Sequence, residues 1–312
     1  MTGGAPAGGG LDGRRVLVTG ASGFIGSRLC SRLRLLGAEV HGTVRQPESA
    51  TDGDIAWLVG DVGDPDDVER VFEVVRPDVV FHLASRVAGD RDVELVQPML
   101  ADNLLGAVNV LVAAERRGQP RVVLAGSMEE PAPHSRHAVA SSPYAAAKWA
   151  ATGYARMFHA LYALPVVVLR IFMVYGPGQR DRTKLVPYVI ESLLTGEPPR
   201  LTGGTRAVDW IYVDDVVDAL LSAAQAPSVE GKVLDVGSGS TVTIRELVRR
   251  LATTMGTTVE PVFGELADRP AETEEVAEMR PTEEALGWRP ATTLDRGLRL
   301  TVDWYAERGG SD

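Results

Sequence analysis

The chain has 312 residues, of which 45% are hydrophobic, and it carries a formal net charge of -10 with a pI near 5.1. This length and apolar content allow one large core or two joined cores. The acidic balance argues against nucleic-acid and acidic-membrane binding, because a polyanion is bound by a basic stripe. The single cysteine, Cys30, excludes an intramolecular disulfide and a cysteine-rich metal site, which fits a reducing compartment.

The start of the chain and its histidines carry little functional signal. Residues 1–10 are rich in glycine and alanine and lack the basic start and apolar stretch of a signal peptide, so we expect a short disordered leader. We see no apolar run approaching the roughly 18 residues of a membrane span. A cytoplasmic protein without a membrane partner is therefore expected. Four of the five histidines show no ligand spacing and predict no metal site: His82, His134, His137 and His159.

Short β-branched runs alternate with helix-length segments along the chain. The runs lie at 15–19, 39–44, 79–83, 122–124, 166–171 and 232–236. This order predicts an α/β fold of the Rossmann-like class, with a doubly wound parallel sheet. Two helix starts are marked by a capping side chain followed by proline, at Asp64-Pro65 and Ser142-Pro143.

The pattern changes after residue 175, where glycine and proline pairs separate shorter elements. This change predicts a smaller C-terminal α/β substrate domain. The strand-like segment 209–213 is expected to return to the main sheet. We therefore predict a dinucleotide-binding domain of 11–171 plus about 207–236, and a substrate domain of about 172–206 plus 237–312.

A glycine-rich turn follows the first predicted strand and opens a helix. Such a turn lets the backbone approach a pyrophosphate, while the helix N-terminus supplies N–H donors and positive potential. The alternative is a tight turn with ordinary helix packing. The residues of this predicted cofactor turn are Gly20, Ser22, Gly23, Phe24, Ile25 and Gly26.

The end of the second predicted strand bears on which dinucleotide is bound. NAD-binding chains place an acidic residue there to accept hydrogen bonds from the ribose, but this chain has Arg45. An arginine can pair with a ribose 2′-phosphate, so NADP(H) is favoured and NAD(H) remains possible. Arg45 could equally be a solvated surface charge. Asp61 and Val62 follow the next short strand, where the carboxylate could accept an adenine amino hydrogen or serve only as a turn acid.

Three polar residues form the candidate catalytic group. Tyr144 and Lys148 are four positions apart in a predicted helix, which places them on one face. Ser127 follows the 122–124 strand at the carboxyl edge of the sheet, where doubly wound folds bind ligands. We expect a nearby ammonium and the positive ring of the cofactor to lower the pKa of Tyr144 from its ordinary value near 10.

In these motifs the chain resembles the extended short-chain dehydrogenase/reductases, and the likeness covers nearly its whole length. This family includes nucleotide-sugar epimerases, 4,6-dehydratases and 4-ketoreductases. The resemblance implies that Ser127, Tyr144 and Lys148 are catalytic and that two copies pair through helices as a homodimer. It further implies cofactor contacts from Leu83, Ala84, Ser85 and Asn103.

The loop 126–130 bears on the reaction. It is similar to the loop in which hexose 4,6-dehydratases carry an acid that protonates the leaving hydroxyl, but Met128 stands at that place and a thioether cannot donate a proton. Glu129 keeps dehydration open. The loop resembles more closely that of 4-keto-6-deoxyhexose reductases. These enzymes consume their reduced cofactor, and the preference for NADPH that Arg45 indicates agrees with such a reaction.

Our hypothesis from the sequence is therefore NADPH-dependent reduction of the C4 ketone of a nucleotide-linked (dTDP or GDP) 4-keto-6-deoxyhexose. In it Tyr144 protonates the oxygen and Ser127 orients it. One alternative is a 4-epimerase or 4,6-dehydratase that retains its cofactor. An alternative of another class is a catalytically silent NADP-binding regulator.

The nucleotide-sugar substrate is expected to contact the second domain, where arginines suit a diphosphate. By resemblance these contacts fall on Met173, Lys184, Leu185, Arg206 and Arg269, together with Met128 of the loop. Met173 replaces the asparagine that is usual in the family, and Val208 takes the place of an arginine. The acidic residues Asp209, Asp214 and Asp215 are interpreted as structural.

Overall fold

The computed structural model describes residues 10–50, 53–87, 91–131, 138–267 and 274–309. The expected disordered leader, apart from Gly10, and the predicted substrate contact Arg269 lie outside these ranges. So do His134 and His137.

The strands are short and mostly buried. In the main sheet the strands Arg15–Thr19, Val79–His82, Arg121–Ser127 and Val166–Ile171 are buried along nearly their whole length, as expected of central parallel strands covered on both faces, whereas Ala56–Val59 is partly exposed. In chain order the strands are β1 Arg15–Thr19, β2 Glu39–Val44, β3 Ala56–Val59, β4 Val79–His82, β5 Arg121–Ser127, β6 Val166–Ile171, β7 Met173–Tyr175, β8 Arg200–Leu201, β9 Ala207–Tyr212, β10 Val233–Val236, β11 Thr241–Thr243 and β12 Val262–Phe263.

The helices alternate with these strands through most of the chain. A π-helical turn, Leu100–Leu105, joins the third helix to the fourth. The helices are α1 Phe24–Leu35, α2 Pro65–Val75, α3 Val96–Met99, α4 Gly106–Arg116, α5 Pro143–Tyr162, α6 Leu185–Leu194, α7 Val213–Gln225, α8 Ile244–Met255, α9 Met279–Leu286 and α10 Leu294–Gly309.

The predicted helix starts are confirmed. The Asp64 carboxylate accepts hydrogen bonds from the backbone N–H groups of Asp66 and Asp67, and Pro65 opens α2. At the start of α5, the Ser142 hydroxyl oxygen accepts from the N–H of Ala145 at 3.1 Å. This cap fixes the first turn of the helix that carries Tyr144 and Lys148.

A seven-stranded sheet with the order β10-β6-β5-β4-β1-β2-β3 confirms the doubly wound fold. The registered pairs of β1 with β2 and β4, of β2 with β3 and of β4 with β5 are all parallel. Because the strands are parallel, the carboxyl ends of β1, β4 and β5 lie at one edge of the sheet. That edge receives the glycine turn, the segment after His82 and the loop after Ser127.

The chain divides into two compact units. The first comprises 1–170, 217–234 and 284–287, and the second comprises 171–216, 235–283 and 288–312. Each unit has its own apolar core: Leu17, Phe72 and Leu111 are fully buried in the first, and Ile190 and Leu247 in the second.

The expectation that segment 209–213 joins the main sheet is wrong. β9 lies in a separate three-stranded sheet, between antiparallel β11 and parallel β7. Its apolar and aromatic residues Val208, Trp210 and Tyr212 pack in the core of the second unit. The residues that we assigned to the first domain at 207–216 accordingly fall in the second unit.

One helical stretch also differs from expectation. Among the described residues, Val93–Arg116 is long and apolar enough to cross a membrane, and 33% of its most apolar window is buried. Scattered polar residues such as Asp102 and Asn109 hide this run in the sequence. The core helix of a water-soluble fold meets the same criterion, so the stretch is weak evidence for a membrane.

Two of the three acidic residues interpreted as structural, Asp209 and Asp215, accept hydrogen bonds from loop backbone. Asp209 is fully buried, and its carboxylate accepts hydrogen bonds from the Ser238 N–H and hydroxyl, each at 2.7 Å, and from the N–H groups of Gly239 and Ala277 at 3.0 and 3.1 Å. Asp215 accepts from the N–H groups of Ala291 and Thr292. These carboxylates tie loops to β9 and α7.

Replacing Asp209 with alanine should destabilise the protein by about 3 kcal/mol, because the N–H groups of Ser238, Gly239 and Ala277 would lose the carboxylate that accepts from them. Urea unfolding followed by circular dichroism measures this change. Asp303→Ala, which removes an exposed carboxylate from α10, is the matched control and should change stability by less than about 0.5 kcal/mol. Equal effects of the two substitutions would contradict the structural role of Asp209.

Candidate active site

The glycine turn between β1 and α1 is closely packed. Gly20 has a φ of +72°, and a Cβ on it would lie 2.7 Å from the backbone nitrogen of Ala84. A Cβ on Gly26 would lie 2.1 Å from the Gly20 carbonyl oxygen. Gly23 is the N-cap residue of α1 and provides no side-chain acceptor for the first N–H groups of the helix. The turn therefore offers those donors to an anion, as a pyrophosphate site requires.

A cleft of about 280 Å³ opens beside this turn. It brings together nine of the predicted cofactor residues, from the ends of four different strands. The same wall contains Arg86 and Asp102, which were not identified from the sequence. The lining comprises Gly20, Ser22, Gly23, Thr43, Val44, Arg45, Gly60, Asp61, Val62, Leu83, Ala84, Ser85, Arg86 and Asp102. A glycine cradle, a helix N-terminus and cationic side chains fit a dinucleotide such as NAD or NADP.

The other predicted cofactor residues have different surroundings. Phe24, Ile25 and Gly26 form the first turn of α1 and are absent from the cleft lining. Asn103 is buried; its Oδ1 accepts from the Ser85 hydroxyl at 2.8 Å and from the Arg86 N–H at 2.9 Å. The structure thus shows Asn103 holding the segment after β4. Asp61 lines the cleft while its Oδ1 also accepts from the Gly63 N–H at 2.9 Å.

Charged side chains converge at the Arg45 side of the cleft. Asp102 Oδ2 accepts hydrogen bonds from Arg86 Nε at 2.6 Å and from an Arg45 terminal nitrogen at 3.5 Å. The side chains of both arginines are about half exposed, at 44% and 59%, whereas that of Asp102 is 17% exposed. Arg86 follows the end of a parallel strand by four residues, a position that could have marked it as a ligand-facing residue.

The three predicted catalytic residues are all buried in the first unit. Ser127 ends β5, and Tyr144 and Lys148 lie in α5. Lys148 Nζ donates to the Ala125 carbonyl at 2.9 Å and lies 6.0 Å from the centroid of the Tyr144 ring. Ser127 and Ser85 are the side chains whose hydrogen bonding lowers the pKa of the Tyr144 phenol, so both lie near its hydroxyl. Because Ser85 also lines the cleft, the phenol lies next to the proposed dinucleotide site.

Burial raises the pKa of Tyr144 to about 12. Hydrogen bonds from Ser127 and Ser85 lower this pKa, but the carboxylates of Glu129 and Glu130 raise it further. The expected lowering of the Tyr144 pKa by a nearby ammonium together with the positive ring of the cofactor is not tested by the protein without its dinucleotide. In the protein alone, desolvation of the phenolate is the largest effect and raises this pKa.

Glu130 is the main site residue that the sequence reasoning missed. It is 2% exposed, and its Oε1 accepts the Ser127 N–H at 2.7 Å. A Cβ on Gly126 would lie 2.7 Å from the same oxygen, so glycine leaves room for the carboxylate beneath the loop. Burial raises the pKa of Glu130, whereas hydrogen bonds and the charges of Lys148 and Arg170 lower it. An acidic residue inside the catalytic loop was the available signal.

Two further groups complete the electrostatics of this region. Burial lowers the pKa of Lys148 to about 8, and the Glu130 carboxylate opposes that shift. Burial and the Lys148 charge lower the pKa of His82 to about 3, so the imidazole is neutral at pH 7. The Nδ1 of His82 is 2.8 Å from the Thr19 hydroxyl oxygen, so this buried imidazole has a hydrogen-bonding partner.

The predicted substrate residues divide between the two units. Met128 lies buried in the catalytic loop of the first. Met173 in β7, Lys184 at the N-cap of α6 and Leu185 in its first turn belong to the second. Arg206, also of the second unit, directly precedes β9.

No metal centre is found in the part of the chain that the structure describes. Within these ranges no group of three or more histidine, cysteine, aspartate or glutamate side chains is placed to hold an ion.

The family follows from comparison with known proteins. The chain matches the model of the NAD dependent epimerase/dehydratase family over residues 16–237. The chain therefore belongs to that family and is an NAD(P)-dependent enzyme of the extended short-chain dehydrogenase/reductase type. This result confirms the resemblance that was identified from the sequence.

Two curated relatives and one solved structure illustrate the likeness. The UDP-glucose 4-epimerase of Mycolicibacterium smegmatis is 31% identical over 318 residues, covering 94% of this chain and 99% of the relative. A dTDP-glucose 4,6-dehydratase of Xanthomonas campestris pv. campestris is 29% identical over 329 residues, covering 93% and 92%. The UDP-glucose 4-epimerase of Thermus thermophilus, solved in complex with NAD, has a TM-score of 0.82 and 31% identity, covering 94% of this chain and 99% of that chain.

These relatives bear on the competing hypotheses from the sequence. They are named as epimerases and dehydratases, so they favour the alternative of a retained cofactor over net reduction of a C4 ketone. The solved relative binds NAD, which supports NAD(P) dependence and leaves the preference for NADP(H) unconfirmed.

Glu130→Gln should move the basic limb of the pH-rate profile to lower pH, by on the order of one unit. Lys148 loses its proton above a pKa of about 8, and the Glu130 carboxylate raises that value, so its removal makes the ammonium disappear earlier. Glutamine keeps an acceptor for the Ser127 N–H. The measurement is kcat/KM from pH 6 to 10.

The control for that measurement is Glu73→Gln, which removes an exposed carboxylate from α2 and should leave the profile in place. A basic limb in Glu130→Gln that stayed fixed, or moved to higher pH, would show that Glu130 does not support the charge of Lys148.

Proposed function

We propose that this protein is a nucleotide-sugar 4-epimerase that retains its dinucleotide through the catalytic cycle. The observation that carries the proposal is the buried pair Tyr144 and Lys148, with Lys148 Nζ 6.0 Å from the centroid of the Tyr144 ring. Hydrogen bonding with Ser85, a wall residue of the cofactor cleft, lowers the pKa of the Tyr144 phenol. Substrate and dinucleotide can therefore meet at one buried phenol. The likeness to a UDP-glucose 4-epimerase along 99% of that relative supports the same reaction class.

The chain's own residues account for the proton chemistry. When bound, the dinucleotide supplies a reversible two-electron acceptor for C4 of the sugar. Tyr144 would accept the proton of the C4 hydroxyl when that carbon is oxidised, and would return it to the oxygen when the carbon is reduced from its other face. Ser127 holds the reacting oxygen. The proton and the hydride both return, so no cofactor is consumed.

The catalytic loop supports epimerisation over dehydration. Loss of the C6 hydroxyl needs a proton donor for the leaving oxygen, and Met128 is a 3% exposed thioether without a proton to give. The loop keeps two acids: Glu130, whose Oε1 accepts the Ser127 N–H at 2.7 Å, and Glu129, whose N–H donates to the Ser127 hydroxyl oxygen at 3.2 Å. We assign Glu129 an electrostatic role: its carboxylate raises the pKa of Tyr144.

Two finer features belong to the same proposal. The guanidinium of Arg45 supports acceptance of NADP(H) as well as NAD(H). Exposed apolar side chains on the helical stretch 93–116 and on α5 support a homodimer that pairs these helices, and light scattering of the purified protein would measure its mass. Those side chains include Val93, Leu100 and Trp149, exposed by 73%, 39% and 43%.

The direct test incubates the purified protein with UDP-glucose, dTDP-glucose or GDP-mannose and with NAD or NADP, and follows the sugar products by chromatography. We expect a C4 epimer without net change in absorbance at about 340 nm, the nicotinamide band that reports hydride transfer to the cofactor. A 4-keto-6-deoxy product would instead identify a dehydratase. Stoichiometric NADPH loss with 4-keto-6-deoxyhexoses would identify the reductase considered from the sequence.

Tyr144→Phe should lower kcat by about 10²- to 10⁴-fold, because the phenol is the proton carrier. Tyr154→Phe is the matched control, since Tyr154 lies on the same helix with 42% of its surface exposed. Dinucleotide binding, followed by fluorescence, should survive in both variants. Near-normal turnover of Tyr144→Phe would refute the assignment of Tyr144.

A further inference from the structure

Asp102 links two cationic side chains from different parts of the chain. Its Oδ2 accepts from Arg86 Nε at 2.6 Å and from Arg45 at 3.5 Å. Arg45 follows the end of β2, Arg86 follows β4, and Asp102 projects from the π-helical turn Leu100–Leu105. All three line the cofactor cleft. The two arginines therefore share a single carboxylate in the wall of that cleft.

The charges of this wall cancel. Among the residues that line the cleft, the charged ones are Arg45, Arg86, Asp61 and Asp102, two of each sign. Rossmann folds place the adenosine ribose at the end of the second strand, which is where Arg45 stands. A ribose with free hydroxyls fits a balanced wall. A 2′-phosphate brings close to two further negative charges and favours arginines that are not already paired.

We propose that Asp102 sets the preference between NAD(H) and NADP(H), by holding the guanidinium groups of Arg86 and Arg45 and offsetting their charge. A 2′-phosphate must displace the Asp102 carboxylate from these arginines and remain close to it. Asp102 is thus a specificity-determining residue that weakens NADP(H) binding relative to NAD(H). This inference rests on the part of the proposed function that places a dinucleotide in this cleft, and it does not depend on the sugar reaction.

The exposure of the two arginine partners makes such control possible. The side chains of Arg86 and Arg45 are 44% and 59% exposed, so both can turn toward a ligand once released. Asp102 is only 17% exposed and is held by helical backbone on both sides, so its carboxylate stays at the wall. Exchange of one acceptor for another at exposed guanidiniums changes affinity modestly, by severalfold.

The test is Asp102→Asn, which keeps the shape of the side chain and removes its charge. Dissociation constants of NADPH and NADH are measured by fluorescence with the full-length protein and no sugar. We expect NADPH to bind about five- to tenfold more tightly and NADH to change by less than about twofold. The gain for NADPH should shrink as salt is raised. An unchanged ratio of the NADPH and NADH dissociation constants, or weaker NADPH binding, would overturn the proposal.

Two further variants separate a specific effect from a general one. Asp54→Asn removes an exposed carboxylate that pairs with Arg34 outside the cleft lining, and it should leave both constants unchanged. Arg86→Met alone should weaken the binding of NADPH more than that of NADH. In the double variant, Arg86→Met should reduce the tighter NADPH binding that Asp102→Asn produces. Equal loss of both cofactors in Arg86→Met would also overturn the proposal. This second variant keeps the test open should Asp102→Asn fail to fold.

The binding measurement distinguishes failure of this inference from failure of the proposed function. A protein that shows the expected cofactor shifts but epimerises no nucleotide sugar would refute the 4-epimerase proposal and leave the role of Asp102 in place. A protein that epimerises a nucleotide sugar but shows no shift in Asp102→Asn would do the reverse.

Discussion

The first turn of α1 packs directly against the loop that precedes it, and this contact organises the cofactor cleft. Gly26 meets the Gly20 carbonyl oxygen with no room for a Cβ, and Gly20 meets the backbone of Ala84 in the same way. The second contact brings the ends of β1 and β4 together, so Ser85 reaches the cleft. Hydrogen bonding with Ser85 lowers the pKa of the Tyr144 phenol. Backbone packing thus connects the anion-binding turn to the catalytic phenol.

Burial dominates the electrostatics of the catalytic residues. It raises the pKa of Tyr144 to about 12 and lowers that of Lys148 to about 8, so it favours the neutral form of both groups. Glu130 opposes the second effect, because a buried carboxylate stabilises the nearby ammonium. The protein alone therefore does not ionise Tyr144. A positive charge arriving in the cleft would lower the pKa of the phenol, which restricts proton transfer to the loaded enzyme.

Local sequence signals predicted the strands of the main sheet and both helix caps, since each of these depends on residues a few positions apart. Features that depend on distant partners were not predictable. The apolar run of β9 indicates a strand but not its sheet, and only the pairs with β7 and β11 decide that. Arg86 and Asp102 are 16 positions apart, so their contact is invisible in the sequence. The loop 126–130 is compatible with several reactions, and the relatives favour epimerisation or dehydration over the reduction that we expected from the sequence.

Carboxylates beside cations serve different purposes in the two parts of the site. Glu130 is 2% exposed, and little water screens its effect on Lys148, so it acts on the proton chemistry itself. The side chain of Asp102 is 17% exposed and its arginine partners are about half exposed, so solvent screens that pair and its influence on binding is modest. Cofactor preference can therefore change through Asp102 without disturbing Tyr144 or Lys148, because no buried charge has to be moved.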